Sequence, residues 1–291
     1  MRNVRVEYAN AVAGLTYGFP AVTQFLGFTH ALSRKLEPLH AVTLHETAVI
    51  AHSVNVLASG AFEQSLHQTR NPYTKAGTPA PFNEEGKMHM TISLMIRVHG
   101  VIKGVDAGAA IVAESVKKLA GDMRLAGGRV CEIGNVRIIA EPEGKKLRGL
   151  MYSMLPGFVL TSAELEQEQP LTDFLNTAAL RYTADEAGDW ARVQGKPGYR
   201  VPLNVGFRAI SPLYAAGTVE ESRAQHNPFA FVEPVHVAGE WKSPHRVRDL
   251  NEILWRYETT EGYYLCRTAP AVAPTATDFD LTNLFNFDET E

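Results

Sequence analysis

Cysteine is nearly absent: Cys131 and Cys266 are the only two in 291 residues. Two thiols so far apart build neither a disulfide framework nor a zinc ribbon, so a reducing, cytoplasmic setting is expected. Long hydrophobic runs are missing as well, and no window reaches the ~18 uninterrupted apolar residues of a membrane span. The opening MRNVRVEYAN has no charged-then-apolar leader, so secretion is not expected. Catalytic signatures are equally scarce. His45-Glu46 opens like a zincin motif, but that chemistry needs a second histidine four residues on, and here His52 stands at seven. Gly86-Lys87 is no phosphate loop, because Pro81 replaces the first glycine and Met88 the hydroxyl. No Gly-x-Ser-x-Gly elbow occurs, and no paired carboxylates flank an isolated histidine. Neither a metal nor a cofactor is implied.

What is present is a globular composition, 45% hydrophobic and 21% charged, which excludes a disordered or fibrous chain. The length allows one large or two moderate domains. The net charge of −4 conceals an asymmetry. Residues 1–150 carry 17 Lys/Arg against 12 Asp/Glu, and residues 151–291 carry 11 against 20. A polyanion needs local positive potential rather than a basic average, so the first half remains open to a nucleic-acid partner.

Val4, Val6 and Tyr8 alternate with polar residues and predict a first strand over 3–12. From 21 to 36, Val22, Phe25, Leu26, Thr29, Leu32 and Leu36 recur at helical spacing, with closure expected at Arg34, Lys35 and Pro38. Strand patterns follow over 41–58 and 87–99, separated by a loop over 61–86. A helix is expected over 107–123, with Ile111 on its apolar side, and a last strand from Val130 through Ile139. This β-α-β-β-α-β order is that of the α+β ferredoxin-like, RNA-recognition-motif-like fold, in which two helices cover one face of a four-stranded sheet and leave the other free. The second half reads as an irregular mixed α/β region, with a polar helix over 163–187, a strand over 199–214 and an amphipathic helix over 239–257. The implied division is an RNA-recognition-like core over 1–140, a thumb and C-terminal region over 141–268, and a flexible acidic tail over 269–291.

Basic residues recur beside Gly, Asn and aromatics in the loops. Arg124-Leu-Ala-Gly-Gly-Arg129 sets two guanidinium groups around bare glycine backbone that can approach a phosphate. The plain alternative is a turn with solvated arginines. Thr69-Arg70-Asn71-Pro72-Tyr73-Thr74-Lys75 forms an inserted basic and aromatic loop, suited to clamping a strand or simply exposed. Trp241-Lys242-Ser243-Pro244-His245-Arg246 pairs an aromatic with donors at an expected helix start, where a hydrophobic staple and cap is the competing reading.

These pieces resemble a known family, the Cas-five-type subunit, or second Csy protein, of the type I-F CRISPR surveillance complex. The matching motifs are Asn10-Ala-Val, Thr16-Tyr-Gly-Phe-Pro20, Phe25-Leu-Gly-Phe-Thr-His-Ala-Leu32, Thr69-Arg-Asn-Pro72, Glu84-Glu-Gly86 and Met123-Arg-Leu-Ala-Gly-Gly128. They continue with Leu155-Pro-Gly-Phe158, Lys196-Pro-Gly-Tyr199, Ser211-Pro-Leu-Tyr214, Gly239-Glu-Trp241 and Ser243-Pro-His-Arg246, in family order over about 4–267. The resemblance implies an RNA-recognition-like core with a protruding thumb and no nuclease activity. It implies a grip on the repeat-derived 5′ handle of the guide CRISPR RNA, and pairing with a large tail subunit beside the backbone subunits. Taken with the loop cations and aromatics above, the candidate RNA contacts are Asn10, Tyr17, Arg34, Arg70, Asn71, Lys75, Arg124, Arg129, Arg208, Trp241, His245 and Arg246.

Three departures stand out. The segment 131–154, where the thumb is expected, is short and holds only Arg137, Lys145, Lys146 and Arg148 as cations. The acidic region around 163–190 is trimmed, and 269–291 matches nothing in the family. A compact variant without a separate large subunit would touch target double-stranded DNA itself. Two rivals to the scaffold stay open. One is a metal-independent endoribonuclease of the guide precursor, using His30, His45 or His89 as base. The other is a structural adaptor that never meets RNA.

Overall fold

A computed structural model describes residues 1–60, 63–70, 72–165, 168, 170–178, 182–184, 186–192, 199–220, 225–260 and 262–268. The strongest helical period in the sequence becomes α1 (Val22–His40), whose buried positions include Phe25, Leu26, Leu32 and Leu36. Each such aliphatic or aromatic burial contributes about 1.5–3 kcal/mol. Its polar inward groups are satisfied by the neighbouring strand β2 (Val42–Val56): Thr29 Oγ1 lies 2.6 Å from Thr47 Oγ1, and Ser33 Oγ accepts the Leu44 N–H at 2.8 Å. The helix passes through Pro38 rather than closing there. In the last turn a proline forfeits only one donor, and the chain turns instead at Ala41, left-handed at φ 53°, whose N–H reaches Glu37 O.

Strand β1 (Arg2–Asn10) sits between β3 (Lys87–Gly100) and β4 (Gly128–Asn135), and β3 also pairs with β2, all antiparallel. In chain order, α1 separates β1 from β2, and α2 (Val105–Gly121) separates β3 from β4. Val4, Val6, Met88, Met90, Ile92, Leu94 and Val130 face α1 and α2 in one continuous core. Ile111 of α2 is 62% exposed, and Val112 and Val116 supply the buried stripe instead. The last strand stops at Asn135, so Val136 and Ile138 follow it as irregular chain packed on the core edge, and Ile139 is exposed.

Five more strands extend the sheet to ten: β5 (Phe158–Ser162), β6 (Tyr199–Ala209), β7 (Val232–Lys242), β8 (Trp255–Thr260) and β9 (Tyr263–Thr268), in the spatial order β5-β7-β6-β9-β8-β2-β3-β1-β4 with Arg124–Leu125 at the end. Both β8 (Trp255 opposite Thr47) and β5 (Val159 opposite Ile50) pair with β2, so these five strands curl back onto one strand. The protein is therefore mixed α+β, with a large antiparallel sheet and four α-helices among the described residues.

The second half departs from the sequence pattern in two places. Instead of a helix over 163–187, the described residues hold α4 (Pro170–Ala178) and a strand, Tyr182–Ala184, paired with Trp190–Arg192. Instead of a helix over 239–257, β7 runs to Lys242, and two 3-10 turns, Pro244–Arg246 and Leu250–Glu252, carry the chain to β8. Val247, Leu250, Ile253 and Leu254 are buried as their spacing requires, but against α3 (Gly144–Ser153), β2 and β5. The 61–86 stretch is not all loop. Ser65–Arg70 pairs with Ala58–Ser59 and with Phe82–Glu85, making a three-stranded arm beside the sheet.

Candidate functional site

The two faces of the four-stranded part differ. One is sealed by α1 and α2. On the other, α3 and the 3-10 turns cover only the end of the sheet near Met95, through a cluster with Leu147, Met151 and Leu250. Among the described residues the remaining half is open. Register places Arg5 beside Thr91 and Glu132, Glu7 beside Arg129, His89 beside Asn55, and Ser53 beside Thr91. Side chains at these paired positions alternate with the core-facing set, so they share the uncovered face.

Arg124 and Arg129 lie opposite each other at the ends of a two-residue hairpin. Ala126 (φ 51°) and Gly127 (φ 77°) both have positive φ, as the type I′ hairpin turn requires. Both guanidinium groups are exposed, and Arg124 Nη1 reaches only Gly127 O at a long 3.5 Å. Asn10 builds this hairpin more than it reaches out: its N–H donates to Ala126 O at 2.8 Å, and a Cβ on Gly127 would stand 3.3 Å from its amide. Lys87 Nζ donates to Asn10 Oδ1 at 3.4 Å and pairs with Glu85 at 3.0 Å. The hydrogen bond from Lys87 holds the Glu85 carboxyl below its ordinary 4.5.

Tyr17 stands in the small hairpin Val12–Ala13/Thr16–Tyr17, 48% exposed, its hydroxyl 3.5 Å from Gln64 of the arm. The hairpin tip is pinned to β7, where His236 Nε2 accepts the Leu15 N–H at 3.1 Å. Trp241 meets Phe19 edge-on at 4.9 Å and is half-buried, which favours the packing reading of that residue. Lys75 is exposed in the turn at the arm's tip. Arg70 ends the arm strand Ser65–Arg70, opposite Phe82, and Asn71 lies outside the described residues, as does the 269–291 tail.

The other candidates are elsewhere. Arg34 is on the solvent side of α1. Arg208 is matched by Glu233 across the β6–β7 pair at 3.5 Å. His245 bonds Ser243 Oγ at 2.8 Å and stacks near Tyr152 at 6.1 Å, and Arg246 is exposed beside it. With Lys145, Lys146, Arg148 and Arg248 they form a second basic strip, on α3 and the 3-10 turns. The structure thus brings together Asn10, Tyr17, Arg124, Arg129 and the arm, and separates them from Arg34, Arg208 and His245-Arg246.

Besides Ile111, sequence patterning misplaced Tyr8. The alternation Val4, Val6, Tyr8 puts Tyr8 in the core, yet it is 49% exposed with φ 56°, and Ala9 is buried instead. A β-bulge between Val6 and Ala9 inverts the alternation. A left-handed tyrosine costs about 1–3 kcal/mol, a conformation that persists only where its surroundings hold it. Here the Tyr8 N–H donates to His89 Nδ1 at 3.3 Å, and the ring meets His89 at 5.1 Å and His67 of the arm at 5.7 Å.

The three histidines considered as bases do not converge. His30 lies near Tyr257, His45 packs on His99 at 4.6 Å, and His89 packs on Tyr8. Among the described residues no group of three or more His, Cys, Asp or Glu is placed to hold a metal ion, and no helix is long and apolar enough to cross a membrane. A cleft of about 470 Å³ is lined by apolar side chains such as Leu94, Ile96, Val112 and Val116 and also by Arg2, Arg97 and Arg137, and it lies apart from the Arg124/Arg129 hairpin. The polar open face is the better candidate.

Residues 1–266 match the model of a protein family described as CRISPR-associated protein (Cas_Csy2). The chain belongs to the Csy2 family. It is 34% identical over 300 residues to CRISPR-associated protein Csy2 of Pseudomonas aeruginosa (strain UCBPP-PA14), covering 89% of this chain and 91% of that protein. This is the family of the type I-F system that the collinear motifs resemble. The matched span contains every described strand and helix but stops short of the final residues of β9. The Arg124/Arg129 hairpin, the arm and Tyr8 all fall within it, so the open face belongs to the Csy2 part of the chain.

Proposed function

We propose that this Csy2-family chain is a non-catalytic, RNA-binding scaffold subunit of a type I-F CRISPR Csy complex. In this reading β1-α1-β2-β3-α2-β4 is an RNA-recognition-like, ferredoxin-like core. It grips the 5′ handle of the guide RNA on the uncovered half of its sheet. The observation that carries the reading is the exposed Arg124/Arg129 pair on a rigid two-residue hairpin at the rim of that open face, beside the arm. Backbone contacts from such cations fix the position of a single strand, while splayed bases find aromatic side chains. The acidic second half and the barrel-like return of β5–β9 leave a separate surface for the large and backbone subunits. The strip of Lys145, Lys146, Arg148, Arg246 and Arg248 favours a second contact, with target double-stranded DNA, whose phosphates need no base-specific geometry.

The test is to co-express the chain with a repeat-spacer-repeat RNA and the other complex subunits, purify through this chain, and sequence the RNA recovered. The expected result is a uniform guide whose 5′ end is protected only when this chain is present. Partner proteins with no protected RNA end would leave a protein adaptor and overturn the scaffold. Cleavage of the precursor by the purified chain alone would establish the endoribonuclease instead.

A further inference from the structure

Tyr8 is anomalous in three independent ways. Of the positive-φ residues other than glycine, Asn3 is a type that tolerates the left-handed region, and Ala41 and Ala126 are small; Tyr8 carries a large ring. Its inversion expels that ring from the core onto the open sheet face, where an asparagine or glycine would hold the same backbone with less strain. Its position is nevertheless fixed from two sides. His89 of β3 contacts the ring at an interplanar angle of 87° and accepts the Tyr8 N–H on Nδ1, which leaves the neutral imidazole proton on Nε2. His67 of the arm contacts it at 60°. Half of the residue's surface remains open to solvent despite both braces.

A ring held rigid, exposed and flat beside cations suits the face of an unpaired base, because every base has a π-face and stacking tolerates sequence. Glu7, adjacent in the chain, lies 3.7 Å from Arg5 and opposite Arg129, so its charge on this face is offset. We propose that Tyr8, braced by His67 and His89, is the stacking platform for one unpaired base of the single-stranded RNA whose backbone Arg124 and Arg129 hold. This assignment rests on the scaffold reading given above and deepens it. The arm matters because it supplies His67: the platform is complete only when the arm lies against the sheet.

The experiment uses the full chain co-purified with its partner subunits, and a synthetic guide RNA carrying 2-aminopurine singly at successive positions of its repeat-derived 5′ segment. Stacking quenches this fluorophore. Wild type and Tyr8→Phe are expected to quench one position, while Tyr8→Leu restores its fluorescence and weakens binding roughly 5- to 100-fold. Tyr8→Gly separates stacking from folding: it relieves the backbone, melts at or above the temperature of Tyr8→Leu, and loses affinity all the same. If Tyr8→Leu binds like wild type while the Arg124→Ala/Arg129→Ala double variant is weakened, the platform is wrong and the scaffold stands. Weaker binding by Tyr8→Leu with no change in any fluorescence makes Tyr8 a mere brace for the arm, and overturns the platform too. Wild type that binds none of the RNAs overturns both readings.

Discussion

The indole of Trp255 donates through Nε1 to the carbonyl of Leu160 at 2.9 Å, joining β8 to β5 across 95 residues of sequence. Both strands pair with β2, and Trp255, 1% exposed, fills the space between them against Val22 and Leu26 of α1. One side chain thus ties the curled strands to the helix that also covers the four-stranded part.

Replacing Trp255 should therefore cost stability in two steps. Trp255→Phe keeps most of the apolar volume but leaves the Leu160 carbonyl without its donor, for a loss of about 1–3 kcal/mol. Trp255→Ala adds a cavity and should cost about 3–5 kcal/mol. Urea unfolding followed by far-ultraviolet circular dichroism measures both, and equal stability of wild type and Trp255→Ala would show that this joint carries no load.

An ion cluster on the covered half of the same face predicts acid sensitivity. Arg97 donates to Glu46 at 3.2 Å, to Glu141 at 2.6 Å and to Asn251 at 3.2 Å, and His99 lies 3.4 Å from Glu46. Burial pushes the Glu46 carboxyl up, but His99, its own backbone N–H and Arg97 together outweigh that and hold it below 4.5. A depressed folded value means the contribution is present above the unfolded value and lost as pH falls through the folded one. Melting temperatures measured from pH 7 to pH 3 should drop in wild type and drop less in Glu46→Gln. Arg97→Ala, which orphans partly buried acceptors, should cost about 1–3 kcal/mol at pH 7.

The first half was legible because its periods are long and consistent. Phe25, Leu26, Leu32 and Leu36 repeat over about three turns, and Met88, Met90, Ile92 and Leu94 alternate without interruption. The stretch 239–257 misled because a three-to-four-residue apolar spacing is met equally well by two successive 3-10 turns. Asp249 and Glu252 do form a capping box, but it caps a turn of three residues. The pairing of Arg208 with Glu233 was not legible because it is set by strand register rather than by local sequence. Tyr8 was hidden for a related reason: a bulge inverts the alternation, and nothing in VRVEYAN announces the left-handed residue. The hairpin at Arg124 was legible in its glycines, whereas the role of Asn10 in holding it was not.

The two thiols should differ sharply in reactivity. Burial pushes Cys266 up to about 12, so at pH 8 it stays protonated, and the thiolate is the species that reacts. Cys131 is half-buried on β4. Iodoacetamide applied to the folded protein, followed by peptide mass spectrometry, should find label on Cys131 and none on Cys266 until denaturant is added. Native labelling of Cys266 would mean that the β8–β9 region opens readily in solution.

The Arg124/Arg129 hairpin makes a prediction in which salt separates charge from packing. Both guanidinium groups are exposed, so Arg124→Ala/Arg129→Ala should leave the unfolding free energy within about 0.5 kcal/mol of wild type. Each charge-assisted bond to a phosphate contributes roughly 1–3 kcal/mol, so RNA affinity should fall at least about tenfold. Each neutralised phosphate of a single strand adds about 0.7 to the slope of log affinity against log salt, and the double variant should therefore flatten that slope by about 1.4. Arg→Lys at both positions should restore most of the slope, because charge is kept, but less of the affinity, because the planar fork is lost. An unchanged slope in the alanine variant would place the phosphates elsewhere, and the strip of Lys145, Lys146 and Arg148 on α3 would be the next surface to mutate.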